Sequence, residues 1–217
     1  MTEPRAARIA ILISGRGSNA CALMDAAAGG AIAGRVGRVI SSREDAPGLG
    51  EARRRGVAAE VVAVREFNSR ADYGEALAAR LDGADLVALA GFMQVLDAAF
   101  IRRFAGRILN IHPSLLPAYK GLDTHRRVIE AGETRHGCSV HFVTEELDAG
   151  PLIMQAEVAV APDDTPAALA ARVLREEHRI YPQAVALVCD GRIEMRDGRC
   201  LLDGRVLQQP LTPDAPL

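Results

Sequence analysis

Two short runs without a polar interruption constrain this chain more than any other feature. Ile9-Ala10-Ile11-Leu12-Ile13 ends at Ser14-Gly15, and Leu86-Val87-Ala88-Leu89-Ala90 closes at Gly91. Runs this short and this apolar read as strands buried on both faces, which requires a parallel sheet covered by helices. Between and beyond them the pattern alternates. An alanine-rich helix is predicted over 19–28, capped by Ser18-Asn19, then a strand over 35–41. A helix follows over 47–55 with Pro47 in its first turn, then a strand over 57–64 and helices over 73–81 and 97–104. A further strand over 107–111 completes the first half. This order predicts an α/β fold, doubly wound, with a mostly parallel sheet and helices on both faces. The second half predicts a helix over 124–131, strands over 139–143 and 152–160, and a long helix over 165–178 restarted after Pro182. It ends in a short C-terminal hairpin over 192–195 and 199–202. One domain over 1–217 is expected, with 1–7 and about 208–217 flexible.

Composition removes several function classes. The formal charge of −2 over 217 residues leaves no basic stripe for nucleic acid. No apolar run approaches the ~20 residues of a membrane helix. The four cysteines, Cys21, Cys138, Cys189 and Cys200, form no CxxC and have no histidine at ligand spacing, so no metal and no thiol chemistry is expected. The polar start and absent signal region point to the cytoplasm. A monomer or weak homodimer is expected.

In doubly wound sheets ligands sit beyond the carboxyl ends of the strands, and three motif loops fall at such ends. They are expected to converge on one crevice. Ser14-Gly15-Arg16-Gly17-Ser18-Asn19 joins a strand to a helix, and its glycines let the backbone approach an anion. It lacks the Lys-Ser/Thr of a P-loop and the full dinucleotide fingerprint, so it suits a single phosphate. A plain tight turn explains the loop equally well. Gly91-Phe92-Met93-Gln94-Val95-Leu96 carries four large apolar side chains. Such a run is more often core, but its position favours walls for a flat heterocycle.

The third loop carries the chemistry. Asn110 and His112 alternate on an extended segment, so their side chains share a side, and Pro113 keeps His112 extended. Asp148 follows in Glu146-Leu147-Asp148-Ala149-Gly150-Pro151. An amide to hold a carbonyl oxygen, an imidazole and a tuning carboxylate, with no nucleophilic Ser or Cys motif, suit transfer of a carbonyl group to an external amine. No covalent enzyme intermediate is needed. Taken alone, Asp148 reads better as a solvated turn residue, Glu177 and Arg70 as surface side chains, and His141 as a residue supporting Asp148.

Several motifs occur in the order and spacing of one family. They are Ile13-Ser14-Gly15-Arg16-Gly17-Ser18-Asn19, Leu89-Ala90-Gly91-Phe92-Met93, Leu109-Asn110-Ile111-His112-Pro113-Ser114-Leu115-Leu116-Pro117, Gly137-Cys138-Ser139-Val140-His141-Phe142-Val143 and Asp148-Ala149-Gly150-Pro151. From Arg8 to about Asp203 the chain resembles the monofunctional bacterial phosphoribosylglycinamide formyltransferases. The resemblance implies formyl transfer from 10-formyltetrahydrofolate to 5-phosphoribosylglycinamide in purine synthesis. It implies that Gly17, Ser18 and Asn19 hold the substrate phosphate, with Gly121 near the same substrate and Glu177 at its ribose. Arg70, Met93, Gln94, Val95, Leu96 and Asn110 match positions around the folate, and Asn110, His112 and Asp148 match the catalytic trio. Asp123 stands where some members have His, and Ala149 where many have Gly or Thr. A 10-formyltetrahydrofolate hydrolase and a non-catalytic folate or sugar-phosphate binding protein are the rival readings.

Overall fold

The computed structural model describes residues 6–215. The expectation of flexible ends falls outside them for residues 1–5 and 216–217. A seven-stranded sheet has the order β3-β2-β1-β4-β5-β6-β7, beside a three-stranded sheet of order β10-β9-β8. By internal contacts the chain falls into two compact units, Met1–Leu109 and Asn110–Leu217.

The first unit holds β1 (Ala7–Ile13), α1 (Ser18–Ala28), β2 (Gly34–Ser41), α2 (Pro47–Arg54), β3 (Ala58–Val61), α3 (Arg70–Arg80), β4 (Leu86–Leu89) and α4 (Ala98–Arg103). β1 is parallel to β2, with Ile11 opposite Val39, and parallel to β4, with Ile11 opposite Ala88. Ile9 to Ile13 are all buried, as both-face coverage demands. Helix α3 starts three residues before the sequence reading placed it. The Ser69 hydroxyl accepts from the Asp72 N–H at 3.1 Å, so Ser69 is the N-cap of a Ser-x-x-acid start.

Strand β5 (Ile108–His112) leads into the second unit, which holds α5 (Thr124–Glu130), β6 (Arg135–Phe142), β7 (Leu152–Ala159), α6 (Pro166–Cys189), β8 (Ile193–Arg196), β9 (Arg199–Leu202) and β10 (Arg205–Val206). β6 and β7 are antiparallel, and their register shifts between Val140 and His141. Such a shift re-aims the side chains after it. β6 begins earlier than expected because Arg135 and His136 pair with Ala159 and Val158, and His136 is buried despite its polarity. Helix α6 runs through Pro182 without restarting. Pro182 removes one backbone bond, but Leu169, Val173, Ile180, Tyr181, Ala184 and Val185 bury one continuous stripe. In the tail, Leu211 donates to the Ile153 carbonyl at 2.9 Å and accepts from the Gln155 N–H at 2.8 Å.

Candidate functional site

In the first unit, β1 delivers the chain to Ser14, whose N–H donates to the Gly91 carbonyl at 3.1 Å. The Ser14 hydroxyl accepts from the Met93 N–H at 2.9 Å and lies 2.7 Å from the Ser42 hydroxyl. The glycine loop and the Gly91–Leu96 segment are therefore bonded neighbours. Helix α1 departs from the sequence reading at its start. Its N-cap is Gly17, in the left-handed region at φ 72° with no capping side chain, so Ser18 and Asn19 lie inside the first turn. A Cβ on Gly17 would stand 2.9 Å from the Gly48 Cα, so both its φ and its packing require glycine. The first helical bond runs from the Cys21 N–H to the Gly17 carbonyl at 2.8 Å. A turn opened by glycine, with no side-chain hydrogen bond at its cap, presents backbone dipoles suited to an anion.

The Gly91–Leu96 segment is not core. Met93 is 65% and Val95 53% exposed, while Leu96 is buried and Gln94 half-buried. Large apolar groups held outward beside an anion-suited turn fit walls for a flat ligand. Arg70 lies exposed in the first turn of α3.

The second unit assembles Asn110, His112, Asp148 and Gly121. Asp148 sits in the left-handed region at φ 49°, which Asp tolerates better than most residues. Its side chain is only 8% exposed, which corrects the solvated-turn reading. Its Oδ2 accepts from the Gly121 N–H at 2.9 Å and lies 3.4 Å from His112 Nδ1. The other His112 nitrogen, Nε2, donates to the Tyr119 carbonyl at 3.0 Å. Both ring nitrogens of His112 thus face acceptors. Exposed Leu122 and Leu147 flank the Gly121–Asp148 bond.

Asn110 is oriented from behind. His141 Nδ1 donates to the Phe142 carbonyl at 2.8 Å, which leaves Nε2 of the neutral ring as an acceptor. That atom accepts from Asn110 Nδ2 at 3.2 Å and lies 3.8 Å from Asp148 Oδ1. Burial pushes the His141 pKa down, opposed by the Phe142 carbonyl and Asp148. Gly150 lets this carbonyl come close, because a Cβ there would meet Phe142 O at 1.8 Å.

Ser139, two residues before His141, carries the loop after His112. Its hydroxyl donates to the Ser114 carbonyl at 2.6 Å and accepts from the Leu116 N–H at 3.0 Å and Gln155 Nε2 at 2.8 Å. The sequence reading assigned no role to Ser139, Gln155 or Tyr119. The available signal is a serine set between the apolar Cys138 and Val140 at the start of a predicted strand. Ser139→Ala strands the Leu116 N–H and the Ser114 carbonyl, and is expected to lower stability by about 2 kcal/mol. Denaturant unfolding checks this, and an unchanged midpoint contradicts it.

Glu177 is not a surface residue. It lies on the buried face of α6, and that helix packs over β6 and β7. Two paired histidines, His136 buried and His125 half-buried, set an acid limit to stability. His125 Nδ1 and His136 Nε2 lie 3.1 Å apart, and burial lowers the His136 pKa to about 4 and that of His125 in the same direction. A folded pKa below the unfolded value of about 6.5 means the unfolded chain takes up the proton first as pH falls. Stability is therefore full above about pH 6.5 and declines toward pH 4. Urea midpoints at pH 7.5 and 5 measure this, and equal midpoints contradict it.

Among the described residues no cluster of three side chains could hold a metal ion, and no helix is long and apolar enough to cross a membrane.

Residues 7–185 match the formyl transferase family. The phosphoribosylglycinamide formyltransferase of Escherichia coli is 47% identical over 201 residues, 92% of this chain and 95% of that protein. The solved phosphoribosylglycinamide formyltransferase of Coxiella burnetii superposes with a TM-score of 0.91 at 43% identity, covering 96% of this chain and 99% of that one. A formyltetrahydrofolate deformylase from Pseudomonas syringae reaches a TM-score of 0.84 over 91% of this chain and 66% of its own, but at 22% identity it shares the fold alone. Matched along nearly its whole length in sequence and in structure, the chain belongs to the phosphoribosylglycinamide formyltransferase family.

Proposed function

We propose that this enzyme transfers the formyl group of 10-formyltetrahydrofolate to the amine of 5-phosphoribosylglycinamide, giving formylglycinamide ribonucleotide and tetrahydrofolate in de novo purine synthesis. The observation that carries the reading is the hydrogen-bonded placement of Asn110, His112 and Asp148 in one unit. The amine attacks the formyl carbon and negative charge develops on the formyl oxygen. Asn110 Nδ2–H donates to that oxygen, and His112 Nε2–H adds a second donor by releasing the Tyr119 carbonyl that it holds here, each a contribution often worth about 3 kcal/mol. Asp148, facing Nδ1, compensates a positive charge on the ring. As the carbon–N10 bond breaks, one proton leaves the amine and one arrives on N10, so no net proton is exchanged with solvent. The transfer passes through His112, Asp148 or water.

Binding roles follow the same reading. Gly17, Ser18 and Asn19 hold the phosphate at the start of α1, Gly121 lies near the substrate, and Glu177 meets the ribose. Met93, Gln94, Val95 and Leu96 wall the folate, with Arg70 beside it. Four free cysteines support a cytoplasmic location, and a monomer or weak homodimer is the working form.

The test follows 10-formyltetrahydrofolate conversion by absorbance, with and without the ribonucleotide. Conversion that requires the ribonucleotide, with formyl recovered on its amine, supports the transferase. Equal conversion without it, releasing formate, would establish a hydrolase. Folate binding without conversion would leave a binding protein.

A further inference from the structure

Asn110 can stabilise an oxyanion only if its side-chain amide presents nitrogen and not oxygen. A rotation of 180° about the last side-chain bond exchanges the two at little steric cost, so something must choose between them. Asn110 is half-buried on β5, and its side-chain partner is His141 Nε2 at 3.2 Å. That nitrogen cannot donate while Nδ1–H is committed to the Phe142 carbonyl at 2.8 Å. The commitment is itself enforced, since Phe142 continues β6 with its N–H on the Pro151 carbonyl at 3.0 Å. Gly150 packs where any Cβ would collide with the Phe142 oxygen.

We propose that His141 is a positioning residue for formyl transfer, whose Nε2 lone pair holds the Asn110 amide nitrogen-inward and leaves the second Nδ2–H for the formyl oxygen. The proposal rests on the reading of Asn110 as an oxyanion donor. Without the lone pair the flipped amide becomes accessible and would set an acceptor oxygen against the developing charge. A buried histidine serving packing alone would need only its bond to Phe142, and its Nε2 would have no reason to face Asn110 Nδ2 at 3.2 Å, nearer than Asp148 Oδ1 at 3.8 Å.

Two substitutions separate the nitrogens. His141→Asn keeps a donor near the position of Nδ1 but has nothing at Nε2, whereas His141→Gln places an amide oxygen near Nε2. The expected result is a kcat loss of about 10- to 100-fold for His141→Asn, with the ribonucleotide Kd within about twofold, and recovery to within about fivefold in His141→Gln. Asn110→Ala combined with His141→Asn should be no slower than Asn110→Ala alone, because the two act as one unit. Near-parental kcat in His141→Asn, equal losses in both variants, or multiplying losses in the pair would overturn the proposal. Near-parental kcat in Asn110→Ala would instead overturn the donor reading beneath it. Nitrogen-15 NMR of the unsubstituted enzyme decides without any variant. Bare Nε2 on His141, coupled across the hydrogen bond to Asn110 Nδ2, is expected, and a proton on Nε2 would refute the arrangement.

Discussion

Asp148→Asn is expected to lower kcat by about 10²- to 10⁴-fold, the range of a lost general acid–base element, while the ribonucleotide Kd changes less than about threefold. The substitution keeps the shape of the side chain, and Asn tolerates the φ of 49° as readily as Asp. The remaining amide oxygen can still accept from the Gly121 N–H, so the loop stays closed. What disappears is the negative charge 3.4 Å from His112 Nδ1. The amide oxygen kept at that position is neutral, so nothing offsets positive charge developing on the ring during the transfer. The proposed phosphate contacts, Gly17, Ser18 and Asn19, belong to the start of α1, so ground-state binding of the ribonucleotide should survive. Steady-state kinetics with a separate binding titration check both halves. A kcat within fivefold of the parent would remove Asp148 from the reaction.

Asn110→Ala is expected to cost about 10²- to 10³-fold in kcat, roughly 3 kcal/mol of transition-state stabilisation. The effect should fall on kcat more than on KM, since the carbonyl oxygen of the bound folate carries little charge before attack. The amide is half-buried and its neighbours Leu109 and Ile111 are buried, so truncation should leave β5 intact. The folded midpoint is the control. A loss confined to KM would make Asn110 a binding contact and not an oxyanion donor.

The sheet was readable where burial is two-sided. β1 and β4 stand out because every residue from Ile9 to Ile13 and from Leu86 to Ala90 is buried, and no other element produces so short and so continuous an apolar run. β6 was half hidden because His136, Ser139 and His141 are buried polar residues that break the expected pattern. The apolar positions after Ser69 are a stronger local signal than its cap, and Pro182 looks like a break because the packing that holds α6 continuous through it lies outside the local sequence.

The site divides in the same way. Asn110 and His112 were legible because alternation on a strand sets their common direction without any tertiary information. Asp148 was not legible from its loop alone, since a carboxylate in Asp-Ala-Gly-Pro looks like any solvated turn until Gly121 and His112 meet it. Ser139 escaped notice because its work is done on backbone atoms of Ser114 and Leu116, more than twenty positions away. Tyr119 contributes through its carbonyl, which no side-chain motif can encode. Gly17 was read as part of a glycine loop, but its role as the left-handed cap of α1 depends on the approach of Gly48.

The central claim is direct passage of formyl from N10 to the amine, with Asn110, His112 and Asp148 stabilising the transfer and no residue carrying the group. Rapid quench of the enzyme with formyl-labelled 10-formyltetrahydrofolate tests it most directly, with label followed on protein, ribonucleotide and formate. No labelled protein is expected with or without the ribonucleotide, and label should appear on the ribonucleotide amine in step with tetrahydrofolate. Label trapped on the chain before the ribonucleotide is added, and then chased onto it, would contradict the account.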